Sequence, residues 1–183
     1  GLRVKPVDFK PFVGMGENRY IGGVAGKHHL ELEIVEAKNR TYQIYEAITK
    51  DRLKALPGAI EFVTLCQARG LRLALATSAD RSKMEVNLKA IGLSEKSFYS
   101  TINGLEVERK KPFPDIYTKV SVNLGLKPAE CLVVEDAVNG IKAAKAAGCK
   151  CLAVTTSFRR EKLYEADWIC DSLLNVPEEA LNW

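Results

Sequence analysis

Two adjacent acids mark the part of the chain where chemistry is most readily predicted. Glu135 and Asp136 come directly after the apolar run 132–134. Two neighbouring carboxylates repel each other unless a cation shares them, and Mg²⁺ prefers oxygen ligands. The pair is therefore a candidate site for a divalent cation. The alternative is that Asp136 only caps the helix predicted to begin at Ala137.

A pair of hydroxyl residues forms the second candidate group. Thr77 and Ser78 lie between the apolar run 71–76 and a helix predicted to begin at Arg81. Hydroxyl and backbone N–H groups at such a turn can bind a phosphate oxyanion. Because Ser and Asp also cap helices, Ser78 or Asp80 could instead serve only that purpose.

A lysine beside two prolines is the third candidate. Lys111 precedes Pro112, and Pro114 follows two residues later. Prolines restrict both their own backbone and that of the preceding residue, so Lys111 is expected in a rigid turn. An isolated Lys-Pro is more often a solvated lysine. The position of Lys111 between the hydroxyl pair and the acid pair favours a role with an anion.

The elements expected to position these groups alternate between strand and helix. Strands are predicted at 71–76, 98–102, 132–134, 150–154 and 168–170, with helices between them. Such alternation predicts an α/β fold with a Rossmann-like parallel sheet and flanking helices. Ligands of these sheets bind beyond the carboxyl ends of the strands. The three groups are therefore expected in one crevice, where they would suit a phosphate with its divalent cation.

The first third of the chain is harder to interpret. Residues 1–29 are rich in glycine and are predicted to be irregular, whereas 30–49 has the period of one long helix. The stretch 14–20 is predicted to be a polar loop that faces either solvent or substrate. Because no buried strand precedes it, a P-loop or dinucleotide-binding loop is not indicated.

Composition excludes several classes of function. The chain has 183 residues and a net charge of +4, which is too weak to indicate nucleic-acid binding. No apolar stretch approaches the roughly 20 residues that span a membrane. The cysteines are odd in number and lie in apolar segments, which predicts buried thiols in a reducing compartment: Cys66, Cys131, Cys149, Cys151 and Cys170. We expect a cytoplasmic protein, with organellar targeting left open, that is monomeric or weakly dimeric and binds neither nucleic acid nor membranes.

The order of the motifs resembles that of a known superfamily. Thr77-Ser78, then Lys111-Pro112-x-Pro-Asp115, then Glu135-Asp136-Ala-x-x-Gly140 is similar to the haloacid dehalogenase-like hydrolases, especially their beta-phosphoglucomutase-like phosphatases and mutases. The resemblance covers nearly the whole chain. It implies a small, partial helical cap at 1–55 and a haloacid dehalogenase-like core at 56–183.

The resemblance also implies roles for the candidate residues. Thr77 would hydrogen-bond the transferring phosphoryl group, and Lys111 would stabilise its charge and orient the nucleophile. Asp136, together with Glu135, would hold Mg²⁺. The implied activity is a magnesium-dependent phosphatase for a small phosphorylated metabolite.

The substrate-binding residues expected on the same basis are Ser78, Asn18 and Arg19. Sugar-phosphate mutases of this group place an arginine soon after the glycine that corresponds to Gly14, where it grips a distal phosphate. This chain has Glu17 near that point, with Arg19 displaced. A phosphatase is therefore favoured over a mutase, which remains an alternative.

One element of the superfamily pattern is missing. Its enzymes use Asp-x-Asp at the end of their first strand for aspartyl-phosphate chemistry, and the 183 residues contain no such motif. The missing strand would lie between the strands ending at Thr77 and Glu135, and its loss would open a gap of roughly 4.8 Å. We expect the nucleophile upstream of Gly1, without which the chain would be inactive. The alternative is a catalytically silent phosphate-binding or regulatory module.

Overall fold

Helices and short strands alternate along the chain. The computed structural model describes residues 3–50 and 52–182. The helices are α1 (Pro6–Phe9), α2 (Glu17–Lys27), α3 (Ile34–Thr49), α4 (Ala59–Ala68), α5 (Arg81–Ala90), α6 (Asp115–Leu124) and α7 (Val138–Ala147). The strands are β1 (Ala74–Ala76), β2 (Ser100–Ile102), β3 (Leu132–Glu135), β4 (Lys150–Val154) and β5 (Trp168–Cys170).

The strands form two parallel sheets. In the first, β1 pairs with β2, and Ala74 lies opposite Ser100. The second has the order β3-β4-β5, with Leu132 opposite Lys150 and Leu152 opposite Trp168. Helices α6 and α7 pack on these strands and on each other. The α/β fold class predicted from the sequence is confirmed.

A break separates the two sheets. Within residues 3–50 and 52–182, β1 pairs only with β2 and β3 pairs only with β4. Because α6 packs on β1 and β2 while α7 packs on β3 and β4, one helical layer supports both sheets. Val134 of β3 is 37% exposed, although it lies within the apolar run 132–134. We call the space between β1 and β3 the slot.

The core lies between the sheets and the α6–α7 layer. Its largest fully buried side chains include Ile102 of β2, Ile116 of α6 and Ile141 of α7. The five cysteines are free thiols, and all except Cys131 are buried. This burial agrees with the thiol state expected from the sequence.

The prediction that residues 1–29 are irregular is wrong, because α1 and α2 form there. Gly16 has φ 84°, a backbone conformation that favours glycine, and it sets the start of α2 at Glu17. The Phe12 ring packs directly over Gly23, where a Cβ would overlap it. Gly16 thus provides the turn before α2, and Gly23 allows the close contact with Phe12.

Helix α2 contacts both α1 and α3, and α3 also contacts α5. The boundary at 55/56 between cap and core stays a prediction. None of the helices in the described part of the chain has the length and apolar character to cross a membrane.

Candidate active site

A cleft of about 830 Å³ opens at the carboxyl ends of β1 and β3. Its walls include Thr77, Ser78, Lys111, Glu135 and Asp136. These residues come from all three sequence motifs. The structure therefore brings the three groups together in one cleft.

Lys111 and Glu135 form a buried ion pair in the cleft wall. The Lys111 ammonium contacts Glu135 Oε1, and the two side chains are 6% and 10% exposed. The Tyr117 hydroxyl donates to the same oxygen at 2.8 Å. The backbone N–H groups of Asp136 and Ala137 each donate to Oε2 at 3.1 Å. Both oxygens of Glu135 are thus held by donors of the protein.

These contacts keep Glu135 ionised. Burial alone would raise the pKa of Glu135, but the Lys111 charge and the hydrogen bonds from Lys111, Tyr117 and Ala137 outweigh it and leave that pKa below its ordinary value. Burial, reinforced by the nearby Glu135 charge, raises the pKa of Tyr117 well above its ordinary value. At neutral pH Tyr117 therefore remains a phenol that donates to a carboxylate.

Gly140 provides the space for this pair. A Cβ at Gly140, in the first turn of α7, would overlap the Glu135 carboxyl group. The spacing Glu135-Asp136-Ala-x-x-Gly140 thus has a steric reason. Sequence reasoning missed Tyr117, since a single tyrosine on a helix gives no signal of a polar partner from another element.

Asp136 lies beside the Lys111–Glu135 pair, but its carboxylate has different partners. Its Oδ2 accepts hydrogen bonds from Thr156 Oγ1 at 2.9 Å and from Ser157 Oγ at 2.5 Å. Ala137, not Asp136, is the N-cap of α7, and no side chain caps that helix. The alternative that Asp136 only caps the helix is therefore wrong. Glu135 and Asp136 diverge as neighbours on a strand do.

The chemistry of Asp136 suits a magnesium ligand. Mg²⁺ in proteins commonly keeps several waters and takes one or two carboxylates together with phosphate oxygens. Asp136 offers such a carboxylate at the cleft. The part of the chain that the structure describes holds no cluster of three or more His, Cys, Asp or Glu side chains suited to a metal ion. The donor set thus fits a metal that is bound through one protein carboxylate and the oxygens of a phosphate group.

The two hydroxyl residues have different surroundings. Thr77 N donates to Ile102 O at 3.0 Å, which extends the β1–β2 ladder, and Thr77 Oγ1 accepts from Ala79 N at 3.1 Å. The Thr77 hydroxyl proton can therefore point to an acceptor in the cleft. Ser78 Oγ instead donates to Gly14 O at 2.6 Å, so Ser78 holds the segment before α2 against the core.

Asp80 does not use its side chain as a cap. It is the N-cap residue of α5 by backbone conformation, without a side-chain cap hydrogen bond. Its carboxylate pairs with Lys38 of α3 at 2.7 Å. The side chain therefore joins α3 to the start of α5.

The residues at the start of α2 do not all face the cleft. Glu17 is buried and lines the cleft, whereas Asn18 and Arg19 are exposed and lie outside its lining. Successive residues of a helix point about 100° apart, so only one of these neighbours can face the cleft. The structure does not bring Asn18 and Arg19 to the other site residues.

Comparison with known proteins identifies the family of this chain. The profile of the haloacid dehalogenase-like hydrolases matches residues 2–148. The chain is similar to Protein SUPPRESSOR OF QUENCHING 1, chloroplastic, of Arabidopsis thaliana, with 40% identity over 181 residues, 96% of this chain and 17% of that protein. It is also similar to Hexitol phosphatase A of Escherichia coli (strain K12), with 35% identity over 153 residues, 84% of this chain and 68% of that protein.

A solved structure supports the same fold. The crystal structure of CbbY from Rhodobacter sphaeroides in complex with phosphate has a TM-score of 0.88 and 23% identity, and covers 100% of this chain and 85% of that chain. The chain spans less than a fifth of the length of its Arabidopsis relative. The similarity to the Arabidopsis relative is therefore confined to one region of that longer protein.

Proposed function

The chain belongs to the haloacid dehalogenase-like hydrolase family, and we propose that it supplies the phosphate and metal sites of a magnesium-dependent phosphatase for a small phosphorylated metabolite. One observation carries this proposal. Thr77, Lys111 and Asp136 are far apart in sequence and line one cleft at the strand ends. The name of the Escherichia coli relative, a hexitol phosphatase, agrees with this substrate class.

Each residue has a distinct task in the proposed reaction. The Thr77 hydroxyl donates to an oxygen of the transferring phosphoryl group. The Lys111 ammonium offsets the negative charge that develops on that group, and such electrostatic stabilisation by fixed groups is the main source of catalysis in phosphoryl transfer. Glu135 fixes the position of Lys111. Asp136 would hold Mg²⁺, which when bound would neutralise phosphate charge. Glu135, expected from the sequence to share the metal, instead has both carboxylate oxygens engaged by donors of the protein and acts through Lys111.

The proposed nucleophile is an aspartate of an Asp-x-Asp motif on a strand that fills the slot, and it would form an aspartyl-phosphate intermediate. The edges of β1 and β3 are unpaired within the described residues, and such edges present backbone donors and acceptors to an added strand. A strand in the slot would end between Thr77 and Glu135, at the cleft. The lack of Asp-x-Asp in the 183 residues favours a second candidate, a catalytically silent phosphate-binding module.

Hydrolysis of 4-nitrophenyl phosphate by the complete gene product tests the proposal. We expect turnover that depends on Mg²⁺, and a loss of at least about 100-fold in Asp136→Asn, because losing one charged group at a phosphoryl-transfer site has effects of this order. Asp167→Asn is the matched control, since Asp167 pairs with Lys145 at the opposite end of the sheet.

The outcomes separate the candidates. Turnover that survives both chelation and Asp136→Asn would contradict the metal site. Magnesium-dependent binding of inorganic phosphate without any turnover would identify the silent module.

A further inference from the structure

We infer that Thr156 and Ser157, in the loop after β4, are positioning residues that hold the Asp136 carboxylate ready for a divalent cation. This inference rests on the proposed function and adds two residues to its metal site. Asp136 is half-buried at the cleft, and both hydroxyl groups donate to the same oxygen, Oδ2. The other oxygen, Oδ1, accepts no hydrogen bond within residues 3–50 and 52–182, so it is available to a cation.

The neutral charge of these donors distinguishes Asp136 from its neighbour Glu135. The Glu135 carboxylate pairs with the Lys111 ammonium, which offsets its negative charge. Thr156 and Ser157 instead fix Asp136 through hydroxyl groups, which orient the carboxylate and leave its charge in place. Among the described residues, no lysine or arginine pairs with Asp136. Of the two adjacent acids, Asp136 is therefore the one that keeps a negative charge to attract Mg²⁺.

The loop that carries the two hydroxyl groups is anchored on both sides of them. Thr155 N donates to Cys170 O at 3.1 Å, which continues the ladder between β4 and β5. Phe158 is half-buried and packs against the main core. The fold thus places the hydroxyl groups independently of their contact with Asp136. Residues that hold a metal ligand from behind commonly change metal affinity by about 10- to 100-fold when they are replaced.

Titration calorimetry of Mg²⁺ into the complete gene product, in saturating inorganic phosphate, tests this inference. The same titration of Asp136→Asn gives the heat that does not come from the site. We expect Thr156→Val/Ser157→Ala to weaken Mg²⁺ binding by about tenfold, at the lower end of the range because both hydroxyl residues are exposed. Each single variant should weaken it by about threefold.

Conservative variants separate the hydroxyl groups from the shape of the loop. Thr156→Ser and Ser157→Thr keep both donors and should bind Mg²⁺ as the wild-type protein does. The matched control is Thr155→Val in the same loop, because the Thr155 hydroxyl donates to Asp171 at 3.0 Å and not to Asp136. This variant should leave the Mg²⁺ affinity unchanged.

The failures are distinguishable. If the wild-type protein shows no Mg²⁺ binding beyond the heat seen with Asp136→Asn, the proposed function and this inference both fall. If Mg²⁺ binds the wild-type protein and the folded single and double hydroxyl variants equally, only the inference falls. Equal weakening in Ser157→Thr and Ser157→Ala would also overturn it, because the shape of the loop and not the hydroxyl group would then set the affinity.

Discussion

Replacing Lys111 with methionine is expected to lower the free energy of unfolding by about 3–5 kcal/mol, the usual cost of leaving one partner of a buried ion pair alone. The substitution removes the cation that faces Glu135, whose side chain is 10% exposed. The Tyr117 hydroxyl and two backbone N–H groups would remain, but they do not replace a full charge. Urea unfolding at pH 7, followed by circular dichroism, measures the effect.

A double-mutant cycle separates the pair from other effects of the substitution. Lys111→Met/Glu135→Gln should regain about 1–3 kcal/mol relative to the single variant, because the uncompensated charge is gone. The matched control is Lys110→Met, which removes a hydrogen bond from Lys110 Nζ to Val107 O and should cost only about 1 kcal/mol. Equal losses in the two lysine variants, or no recovery in the double variant, would contradict a coupled pair.

The Lys111–Glu135 pair also makes the free energy of unfolding depend on pH, in a direction that follows from the pKa of Glu135. The pKa of Glu135 in the folded protein is depressed below its ordinary value of 4.5. The resulting stabilisation is therefore fully present above that value and is lost as the pH falls through the depressed pKa. The difference in stability between the wild-type protein and Lys111→Met should accordingly shrink in acid. A difference that stays constant down to the lowest measurable pH would argue against an ionic contact.

The second large effect is expected at Gly140. Alanine has the higher helix propensity by about 1 kcal/mol, yet Gly140→Ala should destabilise the protein by about 1–3 kcal/mol, because the new methyl group overlaps the Glu135 carboxyl group. The displaced carboxylate would also move Lys111, so the proposed phosphatase activity should fall together with stability.

A second helical glycine makes a matched control. Gly26 lies in α2, and a Cβ built there has no described atom within 4 Å. Gly26→Ala should therefore raise the free energy of unfolding by up to about 1 kcal/mol. The two substitutions are thus expected to have opposite signs in urea unfolding. A stabilising Gly140→Ala would contradict the steric explanation of the motif.

The parts of the fold that follow local patterns could be predicted from the sequence. The predicted bounds of β4 and β5, 150–154 and 168–170, agree with the structure. The strand predicted at 71–76 is shorter, Ala74–Ala76, because a strand extends only where it has a partner, and β2 begins at Ser100. Helix α2 could not be predicted, since its glycines lower helix propensity and the packing of Phe12 over Gly23 depends on the tertiary fold.

In the candidate site, too, some residues could be placed from sequence patterns, whereas others depend on packing. Thr77, Lys111 and Asp136 could be placed in one cleft because the ends of parallel strands meet at one edge. Tyr117 and Lys83 could not, since Tyr117 contacts Glu135 and Lys83 lines the cleft from faces of α6 and α5 that are set by packing. The loop that provides Thr156 and Ser157 as partners of Asp136 likewise gives no signal in the sequence.

A crystal structure of the complete gene product with Mg²⁺ and phosphate tests the central claim most directly. The expected result is one phosphate within hydrogen-bonding distance of Thr77 Oγ1 and Lys111 Nζ, and Mg²⁺ coordinated by Asp136 and a phosphate oxygen. Phosphate or metal bound away from these three side chains would contradict the proposed site.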